Sequence, residues 1–312
     1  MDGIQVENLT KTFRGGAVRA LANVSLAVSP GEAFGIIGPN GAGKTTFLGC
    51  LLGFLRPDSG RIRVDGREPD DLAVRRVIGY LPERLVLDRW MTGRGFLEYH
   101  HALAGLPDAE REAQVGQALD RVGLESDAAE RTVRHYSRGM LQRLGLAQAL
   151  LGQPRYLYLD EPISGVDPAG ILLFRRVLAE LNQHGVTLVF NSHQLDNVER
   201  LCDRVAFIKK GSVEAVETLK AGSEAERILR VRAAAGVEWP LTQEAMAELA
   251  LRAGAALLEW RPPQARFSVA DDATAAHLIH ALCTAGLPLV EATPEESRLE
   301  RLFTHAQGGA PS

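Results

Sequence analysis

Three cysteines in 312 residues, Cys50, Cys202 and Cys283, stand far apart, with no C-x-x-C among them. So sparse a count argues against a disulfide framework and suits a reducing cytoplasm. Long apolar runs are missing too: nothing approaches the ~20 residues a membrane span requires, so the chain is not expected to cross a bilayer by itself. The opening M-D-G-I-Q-V-E-N has neither the basic nor the apolar region of a secretion signal. Nor is there an excess of positive charge. With 35 Lys and Arg against 39 Asp and Glu, the net charge is −4 and the pI near 6.1. That balance removes the global electrostatic case for a nucleic-acid partner. What remains is an ordinary globular composition, 46% hydrophobic and 24% charged, with length for about two domains.

The most informative stretch follows the apolar run Ala33-Phe34-Gly35-Ile36-Ile37. It reads Gly38-Pro39-Asn40-Gly41-Ala42-Gly43-Lys44-Thr45, with Thr46 next. This is the phosphate-binding loop pattern, in which glycines let the backbone wrap a polyphosphate. Successive N–H groups form an anion nest, and a helix expected from about Thr45 adds its positive end. Lys44 can reach β- and γ-phosphates, and the Thr45 hydroxyl suits Mg²⁺. Residues 38 to 46 are therefore candidate contacts of a nucleoside triphosphate.

A second motif, Tyr156-Leu157-Tyr158-Leu159-Asp160-Glu161-Pro162, is an apolar strand ending in two carboxylates. Carboxylates commonly finish strands, so alone the pair says little. Beside a phosphate loop, Asp160 supplies the metal-supporting aspartate of such NTPases. Glu161 is the candidate for polarising the attacking water. A metal that holds one carboxylate ionised leaves its neighbour free to accept a proton.

Periodicity organises the rest as α/β. Strand-like runs are expected at Ile4–Val6, Val24–Leu26, Ala33–Ile37, Arg61–Val64 and Val77–Leu81. From about Thr92 to Leu151 the period becomes helical, with segments at Gly93–Leu103, Asp108–Val122 and Arg138–Leu151. Strands return at Arg155–Leu159, Val186–Asn191 and Arg204–Lys209, with a helix after Pro168. A boundary is expected near Lys220–Ser223, separating a core domain, 1–222, from residues 223–312. The tail reads strand (Ile228–Arg232), helix (Thr242–Ala253), strand (Ala256–Trp260), strand (Arg266–Val269), helix (Ala273–Ala285), strand (Leu287–Glu291) and a closing helix (Ser297–His305). That βαββαβ order is the ferredoxin-like split arrangement. Pro262-Pro263 marks the turn between its middle strands.

On these motifs the chain resembles the ATP-binding subunits of ABC transporters over roughly residues 1–220. The resemblance implies ATP and Mg²⁺ as ligands, with Lys44 on phosphate, Thr45 and Asp160 at the metal, and Glu161 as catalytic glutamate. Tyr136-Ser137-Arg138-Gly139-Met140 resembles the family's signature motif, so Ser137 and Gly139 would contact the γ-phosphate held by an opposing subunit. A serine and free N–H groups at a helix start agree with that role. Ser164-Gly165-Val166-Asp167 resembles the dimer-interface loop, which brings Asp167 to the same junction. Asn191-Ser192-His193 resembles the switch loop, where His193 would sense the γ-phosphate. Phe13 fits the family's adenine-stacking aromatic, and equally a buried core residue.

There are two departures. Arg138 replaces a glycine, with Met140 where glutamine is frequent, and Glu83 replaces a glutamine after the strand Ile78–Leu81. Arg138 either adds charge near the opposing nucleotide or points into solvent. Glu83 still offers oxygen to Mg²⁺ and water, and so stays a catalytic and metal candidate. Both variants resemble the subfamily serving exporters with separate membrane subunits. The resemblance therefore implies a dimer, homodimeric or with a related ATPase, peripheral on the cytoplasmic face of the cell membrane and docked on an integral permease. Apolar Leu85, Val86, Leu87 and Trp90-Met91 either receive a helix of that permease or are buried in the helical insertion.

Other features point nowhere special. His100 and His101 diverge by about 100° on a helix, a poor chelate. His277, His280 and Cys283 drift by about 120° around an apolar face and are read as flanking it rather than binding metal. Asp167-Pro168-Ala169-Gly170 happens to read D-x-x-G, but no N-K-x-D accompanies it, which disfavours a GTPase switch. A soluble ATPase of DNA repair or translation would need long coiled coils or a second ATP core, neither visible. A regulatory role for residues 223–312 can coexist with transport.

Overall fold

Two long antiparallel strands open the chain, β1 (Ile4–Phe13) and β2 (Val18–Val28). The sequence marks only parts of them, because register shifts between Val6 and Leu9, Leu9 and Lys11, and Lys11 and Thr12 break the period-two pattern. Next comes β3 (Ala33–Ile37), every residue buried, as a strand covered on both faces should be. It feeds the glycine-rich loop and α1 (Lys44–Leu51). Then β4 (Ser59–Val64) pairs with β1, giving a three-stranded sheet of order β2-β1-β4. A single turn, α2 (Leu72–Arg75), capped by Asp71, leads into β5 (Ile78–Leu81).

The helical insertion comprises α3 (Gly93–Leu103), α4 (Arg111–Arg121), α5 (Ser126–Ala129) and α6 (Arg138–Leu150). Side-chain caps set two of the starts: Thr92 accepts from Gly95 N–H and Ser137 from Met140 N–H. Phe96, Leu97, Val115, Leu119, Leu144 and Leu146 form its buried side.

The alternating pattern resumes with β6 (Tyr156–Asp160), α7 (Pro168–Gln183), β7 (Thr187–Asn191), α8 (Leu195–Leu201), β8 (Arg204–Lys209) and β9 (Ser212–Thr218). These strands build a six-stranded sheet of order β5-β6-β7-β3-β8-β9, parallel except for β9. Neither α8 nor β9 was expected from the sequence. The helix has seven residues and no side-chain cap, and the strand is a partly exposed edge.

The computed structural model describes residues 2–85, 88–219, 227–234, 239–294 and 299. The chain divides into two units, Met1–Ala221 and Gly222–Ser312. In the second, β10 (Arg227–Ala233), α9 (Gln243–Arg252), β11 (Ala256–Arg261), β12 (Gln264–Val269), α10 (Asp272–Thr284) and β13 (Leu289–Pro294) follow in turn. Sheet order is β11-β12-β10-β13 with every neighbour antiparallel, the βαββαβ split arrangement. Leu229, Val231, Met246, Phe267, Leu278 and Leu282 make its core. The expected closing helix Ser297–His305 lies outside the described residues except for Leu299, as does the expected boundary Lys220–Ser223. No helix among the described residues is long and apolar enough to cross a membrane.

Candidate active site

Three neighbouring parallel strands end together. Ile36 of β3 pairs with Asn191 of β7, and Asn191 pairs with Asp160 of β6. The carboxyl edge of such a sheet is where α/β folds place ligands. Here the loop from Gly38 to Gly43 turns from β3 into α1, which begins at Lys44. Gly43 holds φ +106° and a Cβ there would lie 2.3 Å from the Ala20 carbonyl oxygen, so only glycine fits. Lys44 is buried and donates from Nζ to the carbonyls of Gly38 at 2.8 Å and Pro39 at 3.2 Å. Burial holds its ammonium below the ordinary lysine value, against the opposing pull of the Glu161 and Asp160 charges.

Asp160 is only 6% exposed, and its Oδ1 accepts from Asn191 Nδ2 at 2.6 Å. Desolvation raises its carboxyl above the usual aspartate range; the Asn191 bond opposes this, and the Glu161 and Glu83 charges reinforce it. Tyr80 reports the same crowding, its phenol pushed up to about 12 by burial first and then by Asp160 and Glu83. Glu161 sits in the left-handed region at φ +48°, a conformation that costs energy for a non-glycine residue and clusters at functional sites. It is over-determined by neighbours. Glu161 N–H donates to Asn191 O at 2.8 Å, His193 N–H donates to Glu161 Oε1 at 3.0 Å, and Ser192 Oγ lies 3.3 Å from Oε2. His193 Nδ1 is 2.6 Å from Oε1.

These residues fit a polyphosphate with a hard cation. The start of α1 has no side-chain cap, so its first N–H groups are free for an anion. Asn191 Oδ1 is buried beside Asp160 without a partner, an acceptor suited to a water on a hydrated Mg²⁺. Among the described residues no three His, Cys, Asp or Glu converge on one point. Protein carboxylates alone thus make no cage, which matches a cation that shares its coordination with substrate phosphates. His277, His280 and Cys283 all lie exposed on α10, while Leu278 and Leu282 are buried. His101 is buried, with Nε2 3.1 Å from Gln114 Oε1.

A second group assembles at two helix starts. Ser137 Oγ accepts from Met140 N–H at 3.2 Å to cap α6, and Asp167 Oδ1 accepts from Gly170 N–H at 3.1 Å to cap α7. Asp167 Oδ1 lies 3.9 Å from where a Cβ on Gly139 would stand. The capping bonds of Ser137 and Asp167 stay within this group and do not reach the phosphate loop. Arg138 is exposed, as the solvent alternative had it, yet it also has a partner. Its guanidinium folds onto its own chain and donates to Ser164 Oγ at 3.0 Å. That contact spans 26 residues and carries no local sequence signal.

Phe13 ends β1 at 37% exposure, with Lys11 Nζ 5.7 Å from its ring centroid, so it is no core residue. Asp58 pins that strand end, accepting from Lys11 Nζ at 2.9 Å and from Thr12 N and Oγ1 at 2.6 and 2.7 Å. Sequence reasoning missed Asp58; its turn position was visible, its partners were not. Glu83 lies exposed just past β5. Leu85 packs against α6, 2.5 Å from the Cβ position of Gly145, whereas Trp90 is 73% exposed beneath the Arg134 guanidinium. Val86 and Leu87 lie outside the described residues.

Comparison with known proteins bears on the family and the fold. The family described as ABC transporter matches residues 21–164. An ABC transporter ATP-binding protein of Nostoc sp. is 38% identical, over 79% of this chain and 75% of its own length. The methionine import ATP-binding protein MetN of Thermobifida fusca is 41% identical over 69% of each chain. Among solved structures, a dimeric ATP-binding cassette in a post-hydrolysis state with ADP and phosphate aligns at a TM-score of 0.65 and 27% identity. It covers 70% of this chain and 99% of that one.

Proposed function

The chain belongs to the family of ABC transporter ATP-binding proteins, and from that premise we propose that it is the motor subunit of a transporter whose permease is a separate chain. Two copies, or one copy and a related ATPase, close head to tail around two Mg²⁺-ATP molecules on the cytoplasmic face of the membrane. The observation that carries this reading is the division of labour between two groups. Lys44, Asp160, Glu161 and His193 gather at the sheet edge, while Ser137, Gly139 and Asp167 form a separate group at helix starts.

In the closed state, loop residues 38–46 cradle the phosphates and Lys44 exchanges its carbonyl partners for phosphate oxygens. Thr45, Glu83 and Asp160 hold the cation, which when bound neutralises charge developing on the phosphates. Glu161 accepts a proton from the attacking water, and His193 releases Glu161 to bond the γ-phosphate. Phe13 stacks on adenine. Ser137, Gly139 and Asp167 complete the partner's site, so loss of phosphate opens the pair and drives the permease. ATP should protect the purified chain from proteolysis; protection by GTP but not by ATP would contradict the adenine assignment.

Exposed Trp90 is the proposed contact for a cytoplasmic helix of the permease. Trp90→Asp should abolish co-purification and leave ATP binding intact; retained co-purification removes this surface. Export is the direction that Arg138 and Glu83 suggest, while the named methionine-import relative favours import. Uptake into inside-out vesicles indicates export, and uptake into right-side-out vesicles indicates import. Residues 223–312 are assigned a regulatory or interaction role. Identical ATP turnover, at every ATP concentration, with the chain ended before Gly222 would remove a regulatory one.

A further inference from the structure

The second group contains a bond that neither helix capping nor phosphate recognition requires. Arg138 is the first residue of α6, directly between Ser137 and Gly139, and its Nη2 donates to Ser164 Oγ at 3.0 Å. Ser164 lies three residues before Asp167, in the loop that ends at the α7 cap. Beneath the guanidinium is Gly165 at φ +71°, where a Cβ would stand 2.5 Å from Arg138 Nε and 2.6 Å from Cζ. The arginine therefore covers bare backbone, in space that any other residue at 165 would contest. No ion pair of the described residues includes Arg138, so its charge is not spent on a carboxylate.

We propose that Arg138 is a positioning residue that ties the Ser164–Asp167 loop to the start of α6, so that Ser137, Gly139 and Asp167 meet the partner's nucleotide as one surface. The physical gain is pre-organisation. Two exposed segments that must be ordered together at closure are already joined, and the ordering cost at the junction falls. A fork-shaped donor suits this better than a lysine, because one nitrogen can bond Ser164 while the plane rests on Gly165. The inference rests on the reading that this group completes a site on a second subunit.

A double-mutant cycle on the full chain tests it, with Arg138→Gln, Ser164→Ala and the pair together. Each single change should lower kcat at saturating ATP by about fivefold to tenfold with KM little altered, the pattern of an interaction needed after nucleotide has bound. The double variant should be no slower than the worse single variant, a coupling of the same size. Arg138→Lys, which keeps the charge and a donor of longer reach than glutamine, should recover part of the loss, and melting temperatures should stay close to the wild-type value because Arg138 is exposed and Ser164 only half-buried. Multiplicative losses in the double variant, or full activity of Arg138→Gln, would overturn the inference while the two-subunit reading stands. Wild-type turnover by a protein that never dimerises with ATP would overturn both.

Discussion

The two halves of the candidate site are held by opposite means. At the sheet edge, Lys44, Asp160 and Asn191 are 8%, 6% and 2% exposed and are fixed by strand pairing and buried hydrogen bonds. At the starts of α6 and α7, Ser137 and Asp167 are exposed and are held by capping bonds, with the Arg138–Ser164 bond between their segments. Chemistry that perturbs charge needs a low-dielectric, pre-set environment, and the first half has one. The proposed function asks the second half to meet and leave another chain, a task that accessible donors on rigid helix starts suit. On the proposed function, the contrast is between residues that perform hydrolysis and residues that license it.

The sharpest way to break the contrast is Glu161→Gln. It should cut steady-state ATP turnover by about 10²–10⁴-fold, the usual range for a lost proton acceptor, and leave ATP binding intact; turnover within threefold of wild type would transfer the role elsewhere. Ser137→Ala should lower turnover by about 10²-fold, as for one donor removed from developing charge, with a cap loss of about 1 kcal/mol in denaturant melts. If the affinity of the isolated chain for ATP fell in parallel, the two halves would not be separate.

Asn191→Ala should destabilise the ligand-free protein by about 1–3 kcal/mol, because it strands a buried carboxylate oxygen. A change below the error of chemical denaturation would mean that strand pairing alone fixes Asp160. The smallest effect is expected at Asp58, whose bonds from Thr12 and Lys11 hold its carboxyl down at about 2. A depressed carboxyl stabilises above its unfolded value and loses that contribution as pH falls through the folded one. Wild type should therefore lose more stability than Asp58→Asn between about pH 4 and pH 2, measured by thermal melts across that window. Parallel curves would show that Asp58 does not anchor the Phe13 strand.

What could be read from the sequence was local. The loop from Gly38 to Thr45, the Asp160-Glu161 pair and the caps at Ser137 and Asp167 are each contiguous, and their physics lies in neighbouring residues. The βαββαβ order of the second unit was equally legible, since β10 and β12 alternate buried and more exposed positions within their own length. The full reach of β1 and β2 was hidden by register shifts that break alternation. Hidden too were pairings between distant segments: Asp58 with Thr12 across 46 residues, Asn191 with Asp160 across 31, and Arg138 with Ser164 across 26. No spacing rule reaches so far, because the topology of the sheets decides which loop faces which.

One measurement bears most directly on the central claim that nucleotide and Mg²⁺ join two incomplete sites. Purified Glu161→Gln chain, with saturating ATP and Mg²⁺, is examined by sedimentation velocity alone and together with its permease. Monomer should convert to dimer, and Ser137→Ala in the same chain should reverse the conversion. A chain that remains monomeric in both settings would contradict the account.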